Sequence, residues 1–214
     1  MKHKIEKNTV QETLILPLYS RKLCTELYPN LYQDETAVRL IDEIDYDFSE
    51  AEKNSRSLMQ RFGALEVAMR QNDLAWEVRD YLKTHPSAAV FFASGVFYYF
   101  LTEQVRELVQ GMADAFPGGV LVFDAANRTA VKMIAKTWLR TAKIKDVGAY
   151  FAVSDAKREL SPWDSRLQVS SRGYMLGYTD LKDPSVNGFF RFLARVGDGM
   201  MKMQIVKIGF GGKL

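Results

Sequence analysis

Cysteine and histidine are nearly missing from this 214-residue chain, which has one cysteine, Cys24, and two histidines, His3 and His85. A single thiol excludes a disulfide framework or a cysteine-rich zinc site within one chain. The two histidines lie far apart and in no motif, and His85 precedes Pro86, where it reads as a surface turn residue. A metallohydrolase or a nucleophile triad therefore has little to build on. Ser94 stands in ASGVF, which lacks the first glycine of a G-x-S-x-G elbow. No apolar run approaches the ~20 residues that cross a bilayer. The formal charge is only +3 and no dense Lys/Arg block occurs, so nucleic acid is not an implied partner. The basic start MKHKIEK runs into polar Asn8 and Thr9, not into an apolar signal core. Repeats and low-complexity linkers are also missing. The expectation is a cytoplasmic protein with one domain over residues 1–214.

What is present is an ordinary globular composition, 47% hydrophobic and 26% charged. Residues 11–28 place Leu14, Leu18 and Leu23 near helical spacing, with Pro17 as a kink or a start. Arg21 and Lys22 in this segment read as a solvated face or an anion contact. Asp34 is placed to cap a helix through DETAVRLIDEIDYDF, whose buried stripe is Ala37, Leu40, Ile41 and Ile44. Helical spacing scatters Asp42, Glu43, Asp45 and Asp47 around the axis, which suits a wet face better than a metal site. The longest helical pattern covers 56–83. Its apolar face runs from Leu58 and Phe62 to Val78 and Leu82, interrupted near Gly63 and Asn72-Asp73, and His85-Pro86 ends it.

The stretch Ala88–Phe100, AAVFFASGVFYYF, reads as a buried strand, a turn at Ser94-Gly95 and the entry to a helix. Such a turn is where α/β proteins place ligands. Thr102 caps the next helix, through Ala115, and Phe116-Pro117-Gly118-Gly119 turns into a second apolar strand at Val120–Phe123. Two continuous apolar strands separated by a helix predict a parallel βαβ unit. A helix over 128–142, a strand over 167–175, a short helix after Asp183-Pro184 and a last strand at 203–208 complete the pattern. Arg191 and Arg195 read as facing water.

Three stretches together resemble the leucine carboxyl methyltransferase-like family of S-adenosylmethionine (SAM)-dependent O-methyltransferases, which includes polyketide carboxyl O-methyltransferases. They are QETLILPLYSRKL with LYQDETAVRLIDEIDYDFS, then LEVAMRQNDLAWEVRDYLKTHPSAAV, then FFASGVFYYFLTEQVRELVQGMADAFPGGVLVFD. The resemblance covers most of residues 10–127. It implies an α/β fold of the class I methyltransferase kind, Rossmann-like and three-layered, with an antiparallel last strand and extra N-terminal helices over 1–83. It also implies SAM as cofactor and a carboxylate or hydroxyl of a small molecule as acceptor.

The resemblance places Ser87–Val90 at the front of the family's first strand and Phe91–Gly95 at the end of its fourth. The glycine-rich turn and the ribose-binding carboxylate that stand between them in the family have no counterpart. The positions that match as cofactor-binding are Arg70, Ser94, Gly95 and Tyr99, with Ser94 where many relatives have glutamate. Arg70 reads equally as a surface arginine, and Tyr98 and Tyr99 as core or cover. Trp138, Tyr150, Phe151, Trp163 and Tyr178 stand where relatives build their substrate cover. A shortened, non-catalytic fold that binds a partner is the alternative. An exposed apolar edge beside Ala88–Ala93 is then expected to pair in a homodimer.

Overall fold

The computed structural model describes residues 2–5, 10–141 and 148–211, apart from the side chains of 10–13, 50, 134, 135 and 137–141. Trp138, expected in a substrate cover, therefore lies outside the described side chains. The chain is mixed α/β. Helices α1 (Val10–Leu27), α2 (Glu35–Glu43), α3 (Ser49–Asn54) and α4 (Leu58–Thr84) form the N-terminal part, joined by a two-residue parallel pair, β1 (His3–Lys4) with β2 (Ile44–Asp45). The main sheet follows: β3 (Val90–Ala93), helix α5 (Thr102–Ala115), β4 (Val120–Ala125), helix α6 (Arg128–Thr141), the short helix α7 (Ala156–Leu160), β5 (Leu167–Gly173), helix α8 (Gly188–Gly199) and β6 (Gln204–Phe210).

The four strands lie in the order β3-β4-β6-β5. β3 and β4 are parallel, with Val90 opposite Val120, so β3–α5–β4 is the expected βαβ unit. The last strand, β6, runs antiparallel to both β4 and β5. β4 shows why its sequence reads as an unbroken apolar run. Val120 and Val122 enter a core with Leu65, Met69 and Leu74 of α4, whereas Leu121 and Phe123 enter a second core with Val105 and Val109 of α5. Both faces of the strand are covered, and each such side chain contributes about 1.5–3 kcal/mol on burial.

The helices depart from the sequence reading at identifiable places. α1 spans Val10–Leu27 with Pro17 inside it, so the proline does not start the helix. Ile15, Tyr19 and Leu23 form its buried side, while Leu14 stays 64% exposed. Arg21 is neither solvated nor a free anion contact: it donates to Asp34 Oδ2 through Nε at 2.8 Å and Nη2 at 2.5 Å. Asp34 caps α2 as expected, accepting from the Ala37 amide at 2.9 Å, but α2 stops at Glu43. α4 continues past Gly63 and Asn72-Asp73 for 27 residues, from Ser57, whose hydroxyl accepts from the Gln60 amide, to a C-terminal cap at His85.

α5 begins at Thr102, so the capping position is Leu101, whose amide donates to Gln104 Oε1 at 2.8 Å. Pro184 does not start a helix. α8 begins at Gly188, capped by Asn187, and Arg191 turns inward to donate to the carbonyls of Leu181 and Val186.

Candidate functional site at the carboxyl ends of β3 and β4

β3 ends at Ala93 and the chain bends through Ser94 and Gly95. Gly95 has φ +69°, a left-handed conformation that only glycine adopts without strain. The bend brings the Gly95 amide onto Asp124 Oδ1 at 2.5 Å, near the carboxyl end of the neighbouring β4. Asp124 is almost fully buried. Its Oδ2 also accepts from the Tyr98 hydroxyl at 2.8 Å and from Arg70 Nη1 at 3.3 Å. A Cβ added at Gly95 would lie 3.6 Å from the Arg70 guanidinium, so the arginine packs directly beneath the bend. Arg70 Nε is buried without a hydrogen-bond acceptor.

Two of the four predicted cofactor-binding residues, Arg70 and Gly95, therefore meet at one corner. Ser94 is half-buried in the bend itself. Tyr99 is 46% exposed; its neighbour Tyr98 is the one that turns inward to Asp124.

Arg70 belongs to a polar ridge on α4. Glu66, Arg70, Asp73 and Glu77 follow one another at helical spacing, and their partners come from the segment after β5 and from the sheet. Glu66 Oε1 accepts from the Tyr174 hydroxyl at 2.9 Å. Asp73 Oδ2 accepts from the Met175 amide at 3.0 Å. Glu77 accepts from Tyr178 at 2.8 Å and from Lys207 Nζ of β6 at 2.6 Å. A fourth carboxyl, Asp198 of α8, takes the Leu176 amide at 3.1 Å. The turn after β5 is thus gripped from two helices, and Met175 is held there at φ +76°, unusual for a non-glycine residue. Arg172 closes the outer end of the ridge, over the rings of Trp76 at 4.9 Å and Tyr178 at 5.0 Å.

Burial governs the electrostatics. It pushes the Glu66 carboxyl above its ordinary value, against the Tyr174 hydrogen bond. It pushes the Asp73 carboxyl up to about 7, helped by the nearby Asp198 and Glu77 and opposed by the Met175 amide. Asp198 rises to about 7 for the same first reason, opposed by the Leu176 and Gly177 amides. Tyr98 and Tyr174 are pushed well up by burial and then by the carboxylates facing them, Asp124 and Glu66. Burial works against the charge of Arg70, but Asp124, Tyr174, Tyr98 and Glu66 outweigh it and the net direction is up. The corner therefore holds an arginine cation and phenols that act as donors.

Comparison with protein-family models, curated proteins and solved structures returns no match. No group of histidine, cysteine and carboxylate side chains among the described residues could hold a metal ion. No helix among them is long and apolar enough to cross a membrane. An open cleft of about 420 Å³ lies away from the corner, where Tyr81, Lys157, Gln168, Ser170 and Lys207 line it. Of the aromatics expected in a substrate cover, Phe151 is core, packed with Phe97 and Phe123, and Tyr150 is half exposed. Trp163 packs beside Phe151, and Tyr178 belongs to the ridge.

Asp124 was readable as the carboxylate closing VLVFD, but its role as the hub of the corner was not. Of the ridge, only Arg70 was singled out in the sequence. Charged residues at helical spacing look like a solvated face until the partner segment, about a hundred residues away, is placed against them.

Proposed function

We propose that the chain is a SAM-dependent O-methyltransferase of the leucine carboxyl methyltransferase-like type, acting on a carboxylate or hydroxyl of a small molecule. The observation that carries this reading is the Gly95 bend at the carboxyl end of a parallel strand, with the Arg70 guanidinium beneath it. The β3–α5–β4 unit and the antiparallel last strand are what the resemblance implies for this half of a class I methyltransferase sheet.

The donor set fits a carboxylate. Asp124 engages Arg70 through Nη1, and Nε is left without an acceptor. A guanidinium has five N–H donors and binds carboxylates in a fork. Arg70 would hold the amino-acid end of the cofactor, beside the Ser94-Gly95 bend. The cofactor supplies an electrophilic methyl carbon. The chain's own contribution is alignment of the acceptor oxygen for in-line displacement. Titration calorimetry with SAM and S-adenosylhomocysteine tests the reading: saturable binding is expected, weakened at least about tenfold in Arg70→Met, the loss of one charge-assisted contact. No heat at millimolar cofactor overturns it.

The Arg70–Asp124 pair also favours a second reading, because it neutralises the guanidinium within the chain. In that reading the chain is a shortened, non-catalytic methyltransferase-type fold that binds a partner. The same calorimetry separates the two, since this reading expects no cofactor binding.

A further inference from the structure

We propose that two copies of this chain pair through β3, antiparallel about a two-fold axis at Phe91, so that the sheet continues across the seam. The proposal rests on the partner-binding reading and supplies the partner and the register. Main-chain direction fixes that register. The Ala89 carbonyl accepts from the Val120 amide at 2.9 Å, so it faces β4. Main-chain groups alternate sides along a strand, so Phe91 and Ala93 also face β4, and Val90 and Phe92 turn their N–H and C=O groups outward. Among the described residues no strand lies on that outer side.

An antiparallel copy centred on Phe91 sets Val90 opposite Phe92 of the second copy, and Phe92 opposite its Val90. Both are then hydrogen-bonded pairs that exchange N–H···O=C bonds in each direction. Every outward group of Val90 and Phe92 is satisfied. Opposite residues also share a face of the sheet, so the Phe92 ring, 42% exposed in a single chain, covers Val90 of the second copy. Aromatic against β-branched is a favourable cross-strand pair.

The two edges of the sheet differ in how they are guarded. β5 carries Arg172 with polar Gln168, Ser170 and Ser171, and runs into the gripped turn. β3 has no charge, no proline and no bulge, the devices that normally keep an edge strand single. No Asp, Glu, Lys or Arg occurs from Ser87 to Leu101. A charged partner finds nothing there to answer it, and a second copy brings no like charge. Val96, Phe100 and Leu101, each more than two-fifths exposed, extend the apolar surface beyond the strand.

Sedimentation velocity over a micromolar concentration series tests the pairing, with amide hydrogen exchange on the same samples. A dimer is expected, and Phe92→Lys is expected to weaken it about tenfold or more by removing the aromatic pair and placing a charge at the seam. Leu108→Lys, at an exposed position on α5, should leave it intact. The Val90 and Phe92 amides should gain protection with concentration, while the Phe91 amide, bonded to β4, stays protected throughout. The exchange pattern reads the wild-type chain and does not depend on any variant folding. A monomer at every concentration, or a dimer that Phe92→Lys leaves unchanged, overturns the proposal. Cofactor calorimetry reports separately on the reading beneath it. A dimer that binds SAM removes the non-catalytic reading and leaves the pairing standing, whereas a monomer that binds none removes the pairing alone.

Discussion

The Tyr98 hydroxyl donates to Asp124 Oδ2 at 2.8 Å, and this bond joins the turn after β3 to the carboxyl end of β4. Asp124 collects three donors from two segments: Arg70 of α4, and the Gly95 amide and Tyr98 hydroxyl of the turn after β3. It is the point at which the N-terminal helices, the edge strand and the sheet centre are tied together.

Asp124→Ala should therefore cost more than any one of its bonds. It strands Arg70, a largely buried cation, without its counter-charge, and breaking such a pair costs about 3–5 kcal/mol. Tyr98→Phe removes one donor and leaves the others, so a loss of about 1–2 kcal/mol is expected. Urea denaturation of the two variants checks the order. Equal losses would mean that Arg70 does not depend on Asp124.

Gly95→Ala should destabilise through the backbone and not through crowding. The added methyl meets the Arg70 guanidinium only at ordinary contact distance, 3.6 Å, but the left-handed φ of +69° is strained for alanine. A loss of about 1 kcal/mol is expected, read from the shift of the urea midpoint. Gly118, also left-handed at φ +78° with open space around its Cβ position, should lose a similar amount on substitution by alanine.

Asp73 and Asp198 make stability depend on pH in a defined direction. Each carboxyl has a folded-state value of about 7, above its ordinary value near 3.8. Both are protonated in the folded chain where the unfolded chain has already ionised. Their contribution is complete below the ordinary carboxylate value and is lost as pH rises toward 7. Thermal melts should show stability falling between about pH 4 and 7 from this pair. Asp73→Asn keeps an acceptor for the Met175 amide and cannot ionise, so it should flatten the profile and gain stability at alkaline pH. A wild-type profile that rises over this interval and is unchanged in Asp73→Asn would refute the assignment.

Lys207→Met should be costly although it adds apolar surface. Glu77 is only 5% exposed and Lys207 is its closest cation, at 2.6 Å. Without it the carboxylate keeps the Tyr178 hydroxyl and the more distant Arg172 at 4.0 Å. A loss of about 3 kcal/mol is expected from a buried charge deprived of its partner. Glu77→Gln with Lys207→Met should recover part of it, which a double-mutant cycle would measure.

Local pattern was enough for the elements that have a strong periodic or turn signal. The βαβ unit followed from two unbroken apolar strands about a helix, the α2 cap from Asp34, and the end of α4 from His85-Pro86. Ser94-Gly95 marked the bend through its glycine alone, and Arg70 with Gly95 proved to share one corner. These are properties of a few neighbouring residues, set by proline and glycine sterics, capping and burial of an apolar face.

Long-range pairing lay beyond local pattern. Arg21 read as a solvated side chain or an anion contact, and only the fold set Asp34 against it. The sequence pattern marked only the apolar face of α4, yet its carboxyls grip a turn about a hundred residues later, because buried polar groups must find partners wherever the fold supplies them. AAVFFASGVFYYF announced a strand and a bend, and the resemblance an exposed edge, but not that Val90 and Phe92 would turn their main-chain groups outward. That depends on which strand lies beside it, and strand neighbours are chosen by packing across the whole core, not by the residues of the strand.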